Sequence, residues 1–142
     1  MESTFTIKGK SAVKGVVEGE ALVSRSRISF TGGMDPETGV IIEKGHELEG
    51  EKVTGKILIF PSGKGSVGAS TALYLMNKRG TLPKAIVNIE LDPPLVFGAL
   101  MIKLPLIYDV PKDIFDKISS GDYIKVNANE GIIEVNKRKR II

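Results

Sequence analysis

Apolar residues recur with two periods along the chain. Phe5 and Ile7 alternate with polar neighbours and predict a strand over 4–8. Val13, Val16-Val17 and Ala21-Leu22-Val23 are interrupted by Gly15 and Gly19, which predicts antiparallel strands over 12–24 with a turn near Glu18-Gly19. A short apolar piece follows at 28–30. Gly32, Gly33, an Asp35-Pro36 step and Gly39 then spell consecutive tight turns. Strands are predicted at 40–42 and, more strongly, at 53–60.

The period changes after Phe60. Ala69, Ala72, Leu73 and Met76 repeat at helical spacing and predict a helix over 67–79, capped by Ser66 and closed by Lys78, Arg79 and Gly80. A strand follows at 84–89. Asp92 then reads as a cap with Pro93 at the first helical position, and 95–102 is apolar nearly all round, so it reads as a short buried helix. A strand at 104–108, a small helix at 111–119 with Ile114, Phe115 and Ile118 inward, and a hairpin of 123–126 with 132–135 complete the pattern. The order predicts a mixed α/β domain, with a partly parallel, helix-crossed sheet packed on an antiparallel layer.

At 142 residues the chain is one domain, read as 1–136 followed by a basic tail at 137–142. Lys137, Arg138, Lys139 and Arg140 account for the basicity: without them the net charge of +3 becomes −1, so a nucleic-acid-binding face is not implied. The tail reads as a solvated, frayed end. With no cysteine the chain forms no disulfide and holds no cysteine-ligated zinc or iron–sulfur cluster. One histidine disfavours a self-sufficient metal site or a Ser-His pair. The polar start is no signal peptide and no apolar run reaches membrane length, so a cytoplasmic protein without membrane contact is expected.

The chemistry concentrates where the strand at 53–60 empties into Pro61-Ser62-Gly63-Lys64-Gly65-Ser66 ahead of a helix. Unpaired amides and the positive end of the helix dipole gather at such a place. A preorganised donor is worth ~2.7–4 kcal/mol in a catalytic site, and a pKa unit about 1.36 kcal/mol, so each donor could lower a hydroxyl by roughly two to three units. The amides of residues 63–67 and the Lys64 ammonium are the expected donors, and Ser62 the base they create. A capped strand-to-helix turn accounts for the spacing equally well, and an anion cradle is a third reading. It is not a Walker loop, since Leu58 stands where that motif needs glycine. Gly32, Gly33, Asp35 and Thr38 line the same cleft if their loop lies beside Ser62; otherwise Asp35 only starts a turn. His46, beside Glu47 and Glu49, reads as exposed.

Four stretches taken together resemble the small subunit of the aconitase X family. They are Gly19-Glu20-Ala21-Leu22-Val23-Ser24; Ile28-Ser29-Phe30 with Gly32-Gly33, Asp35-Pro36 and Thr38-Gly39; His46, Leu48 and Gly50; and Gly55 through Ser66. The resemblance runs from about residue 4 to 135. It implies a swivelling β/β/α domain like the mobile domain of aconitases, and a large partner subunit carrying a [4Fe-4S] cluster, as a heterodimer or larger assembly. In archaea it implies a hydro-lyase that removes water from mevalonate 5-phosphate, giving trans-anhydromevalonate 5-phosphate on a modified mevalonate route to isoprenoids. The family's proton acceptor falls on Ser62, with Gly63, Lys64, Gly65 and Ser66 in support and no metal ligand in this chain. Ordinary aconitases have a Ser-Arg pair in this loop; here Lys64 stands near Ser62 instead. Loss of water beside a carboxylate needs a base and a Lewis acid, and a chain offering only the base is half of such a site. The alternatives are a related dehydratase subunit for another hydroxy acid, such as a hydroxyproline, or a non-catalytic swivelling interaction domain. Phosphohistidine swivel domains share the pattern of the second half, but residues 84–108 contain no histidine.

Overall fold

The computed structural model of the protein describes residues 4–137. Ten strands and three helices follow one another: β1 (Thr4–Lys8), β2 (Lys10–Val13), β3 (Val16–Val23), β4 (Met34–Asp35), β5 (Val40–Ile41), β6 (Ile57–Phe60), α1 (Gly68–Arg79), β7 (Ala85–Asn88), α2 (Pro93–Ile102), β8 (Leu106–Tyr108), α3 (Ile114–Lys117), β9 (Tyr123–Asn127) and β10 (Ile132–Asn136). Eight strands form one sheet in the order β1-β10-β9-β3-β6-β7-β8-β2, and β4 with β5 forms a small separate pair.

β3 joins two kinds of sheet. Val16 to Glu20 pair antiparallel with β9, whereas Ala21 to Val23 pair parallel with β6. Gly19 therefore lies inside a strand and not at a turn, and the predicted hairpin over 12–24 does not form. The chain turns instead at Lys14-Gly15, and β2 pairs antiparallel with β8. β6, β7 and β8 are mutually parallel.

The two edge strands of this sheet are neighbours in sequence. Only Gly9 separates β1 from β2, and two residues span at most roughly 7 Å. The sheet's edges must therefore meet, which curls it into a barrel-like shape. A methyl group on Gly9 would lie 2.7 Å from Ile107 Cγ2, from the Tyr108 carbonyl oxygen and from Val110 Cγ1. The Gly9 amide donates to the Gly131 carbonyl at 2.8 Å, fastening the seam.

Alternation along the parallel strands divides the interior into two cores. Ile57, Ile59, Ala85, Val87 and Ile107 face the antiparallel strands and meet Ile124, Val126, Ile133 and Val135. Leu58, Phe60, Ile86 and Leu106 point the other way, onto Leu73 and Met76 of α1 and Leu95 and Ala99 of α2. The result is a β/β/α arrangement, the predicted mixed α/β class.

Helices α1 and α2 appear where the spacing placed them, and Ala69, Ala72, Leu73 and Met76 are the buried face of α1. α2 is not buried all round: Leu95, Gly98 and Ala99 pack inward, while Phe97, Leu100 and Met101 are 60%, 53% and 70% exposed. The helix predicted over 111–119 shrinks to four residues, and residues 28–30 form no strand. Lys137, expected to begin a solvated tail, is instead ion-paired with buried Asp122. Residues 138–142 of that tail lie outside the described residues.

Candidate functional site

β3, β6 and β7 end at the same edge of the sheet, where ligands of open parallel sheets bind. Three connections leave that edge: Ser24 to Gly33 after β3, Pro61 to Val67 after β6, and Ile89 to Asp92 after β7. They interlock through backbone bonds. The amides of Ile89 and Glu90 both donate to the Pro61 carbonyl at 3.0 Å, and the Ile28 amide donates to the Ser62 carbonyl at 3.3 Å. Asn88, fully buried at the end of β7, donates from Nδ2 to the Phe60 carbonyl at 3.1 Å.

Ser62 lies at the centre of this lattice and is only 2% exposed. Its hydroxyl donates to the Glu90 carbonyl at 3.0 Å. Among the described residues nothing donates to Ser62 Oγ, so the amide and ammonium activation expected from the sequence is absent in this loop conformation. A hydroxyl that donates to a carbonyl is held in its neutral form, the opposite of activation. Lys64 turns outward and pairs with Glu43 Oε2 at 2.7 Å. That ammonium, with the Ser29 amide, holds the Glu43 carboxyl below its usual range despite partial burial.

The cation that does engage the loop is Arg27, which the sequence reading missed. Nη1 donates to the Gly63 carbonyl at 3.1 Å, and Nη2 donates to Glu90 Oε1 at 2.5 Å. An arginine thus straps the Ser62 segment to the segment after β7, although it comes from a distant part of the chain. His46 was also misjudged, for it is buried. Its Nδ1 accepts from the Leu48 amide at 3.0 Å, so Nε2 carries the proton and donates to the Arg27 carbonyl at 3.0 Å. The ring props the backbone from which Arg27 reaches.

Asp92 is the second residue missed. It occupies the cap position of α2 but makes no side-chain cap hydrogen bond. Its carboxyl instead lies against the serine loop: the Gly65 amide is placed to favour its charged form, and a methyl group on Gly63 would fall 2.0 Å from Oδ2. Asp92 is 4% exposed and Oδ2 has no hydrogen-bond partner. Burial pushes its carboxyl above the usual aspartate range, more than the Gly65 amide and the Arg27 charge pull it down.

Ser66 serves the helix start as expected, one step early: Oγ accepts from the Gly68 amide at 3.1 Å and shares a 2.9 Å hydrogen bond with Thr31 Oγ1. The Gly32-Gly33 end of its loop is close by, since a Gly33 methyl would meet Glu43 Oε1 at 2.9 Å. Asp35 and Thr38 are elsewhere. They form a closed turn, with Asp35 Oδ2 accepting from the Thr38 hydroxyl at 3.0 Å. The neighbouring Glu37 pairs with Arg79, and the Pro36 carbonyl accepts from Thr81, at the far end of α1. Twelve helical residues put that end ~18 Å from the serine loop, so Asp35 and Thr38 do not share its cleft.

Among the described residues no group of three or more His, Cys, Asp or Glu could hold a metal ion, and no helix is long and apolar enough to cross a membrane. A hollow lined by Arg25, Pro61, Ile89, Glu90, Lys112 and Phe115 opens beside the loop.

Residues 6–135 match the family model described as the aconitase X swivel domain. A phosphomevalonate dehydratase small subunit from Pyrococcus horikoshii is 46% identical over 129 residues, 91% of this chain and 94% of its own length. The protein of the same name from Methanosarcina acetivorans is 41% identical over 133 residues, 94% of this chain and 92% of its own length. In three dimensions, the crystal structure of holo aconitase X from Thermococcus kodakaraensis superposes with a TM-score of 0.86 at 37% identity, covering 92% of this chain and 97% of that one. The chain belongs to the aconitase X swivel domain family.

Proposed function

We propose that this chain is the small subunit of a two-subunit hydro-lyase that removes water from mevalonate 5-phosphate to give trans-anhydromevalonate 5-phosphate, and that Ser62 is its proton acceptor. The relatives' printed name supports the reaction and the existence of a larger partner. One structural observation carries the site: three loops meet at the carboxyl edge of the parallel strands, with Ser62 at the point where they cross. Arg25 and Lys112 beside the adjoining hollow suit an anionic substrate. A cytoplasmic enzyme of the archaeal isoprenoid route is consistent with these features.

The residues present do not fit an iron–sulfur cluster, because the chain has no cysteine. The cluster implied by the family therefore belongs to the large subunit. What this chain contributes is the base and the wall around it. Ser62 is shut in the free subunit, so its hydroxyl must leave the Glu90 carbonyl once substrate and partner are in place.

The test is co-expression with the large subunit and an anaerobic assay of water loss from mevalonate 5-phosphate. Removing a general base lowers turnover by ~10²–10⁴-fold, and Ser62→Ala should do so while assembly stays normal. Retained turnover in that variant would leave a non-catalytic swivelling domain as the better description.

A further inference from the structure

A serine that pulls a proton from carbon must first lose its own. The Glu90 carbonyl it faces cannot take a proton. The other groups beside the loop are committed. Lys64 is a cation paired with Glu43, and Glu43 is held below its usual range by that pairing. Glu90 is ion-paired with Arg27. The His46 ring has both nitrogens engaged with backbone. Asn88 Oδ1 is buried and unpartnered, but an amide oxygen is a negligible base. That leaves Asp92 Oδ2: buried, without a partner, and one residue along the loop from Ser62, against Gly63.

We propose that Asp92 is the acid–base partner of Ser62, a positioning residue whose free carboxylate oxygen receives the serine proton when the hydroxyl swings away from the Glu90 carbonyl. The inference rests on the dehydratase reading and deepens it. The Oγ–H bond breaks and an Oδ2–H bond forms. The alkoxide then takes the substrate's C–H proton, restoring the hydroxyl and leaving the electron pair on carbon. That pair expels hydroxide, and Asp92 returns its proton to solvent as the loop reopens, so the net product is water and both side chains end as they began. Burial of Asp92 strengthens the transfer, because it raises the carboxylate's affinity for the proton. The charged group acting on it is Arg27, from the segment after β3, which is itself paired with Glu90 on the segment that carries Asp92.

The test uses the reconstituted two-subunit enzyme and compares wild type with Asp92→Asn, reading kcat, KM and the pH profile of kcat. Wild type should lose activity as pH falls and Asp92 takes up a proton. Asp92→Asn should show kcat lowered by ~10²-fold or more, KM within about twofold, and no such acid limb. A variant within threefold of wild type, or one slowed with its acid limb intact, overturns the proposal. A ¹³C carboxyl titration of Asp92 in the free wild-type subunit stands independently of assembly and of the substrate. A midpoint above the ordinary aspartate value of ~3.9 is expected, and one at or below it overturns the proposal even if the variant folds poorly. If wild type itself fails to dehydrate mevalonate 5-phosphate, the choice of substrate is wrong, and the carboxyl titration still decides whether Asp92 holds its proton tightly.

Discussion

Replacing Gly63 with alanine tests the geometry of the serine loop without any reference to catalysis. The new Cβ would lie 2.0 Å from Asp92 Oδ2 and 3.1 Å from its Cγ. Ordinary contact is near 3.4 Å, so the carboxyl must retreat by more than an ångström or the loop must lift. Asp92 is 4% exposed, so its carboxyl has little open space to retreat into. Overpacking of this kind costs ~1–3 kcal/mol, so a loss of about 2 kcal/mol is expected. For a domain of this size that is a fall in Tm of roughly 6 °C. In an Asp92→Ala background the obstruction is gone and the same methyl group fills vacated space. Urea unfolding of the free subunit, its two single variants and the double variant gives the coupling between the sites. It should reach ~2 kcal/mol in the direction of relief. Additivity to within ~0.5 kcal/mol would refute the claim that Gly63 is a glycine because Asp92 lies under it.

Two further predictions follow from features away from the proton acceptor itself. Gly9→Ala should cost ~1–3 kcal/mol in urea unfolding, because three atoms including a backbone oxygen already stand 2.7 Å from the new methyl; a loss under ~0.5 kcal/mol would show that the sheet edges do not close so tightly. Asp92 also gives stability a pH signature. Its folded carboxyl is raised, so its contribution is complete below the ordinary aspartate value of ~3.9 and is lost as pH rises through the folded value. Wild type should therefore gain on Asp92→Asn as pH is lowered across that window, and a difference independent of pH would contradict the burial argument.

Local patterns in the sequence disclosed what local physics determines. The α1 face was legible because four residues at helical spacing need only one core to bury them, and the serine loop because strand, proline and glycine follow one another without interruption. Arg27 was not legible, since the strap it forms spans thirty-six residues to Gly63 and nothing local marks it. Asp92 carried a local explanation, helix capping, that concealed its tertiary one. His46 was hidden by the charges around it, which say nothing of the backbone groups that take both of its ring nitrogens. Gly19 suggested a turn because it interrupts an apolar β pattern; in the fold it lies within β3, two residues before the strand passes from an antiparallel partner to a parallel one. The exposed face of α2 was missed for the converse reason: an apolar residue does not reveal which side of its helix meets the core.

The seam at Gly9 also bears on folding during synthesis. β1 pairs with β10, so it waits for every described element between the two to be made before its backbone finds its mate. During that interval β1 and its tethered neighbour β2 are open templates for other nascent chains. A product released before residue 132 would leave β1 without its partner and β9 paired to β3 on one side only, and such a fragment is expected to be proteolysed or to aggregate rather than to form a smaller stable domain.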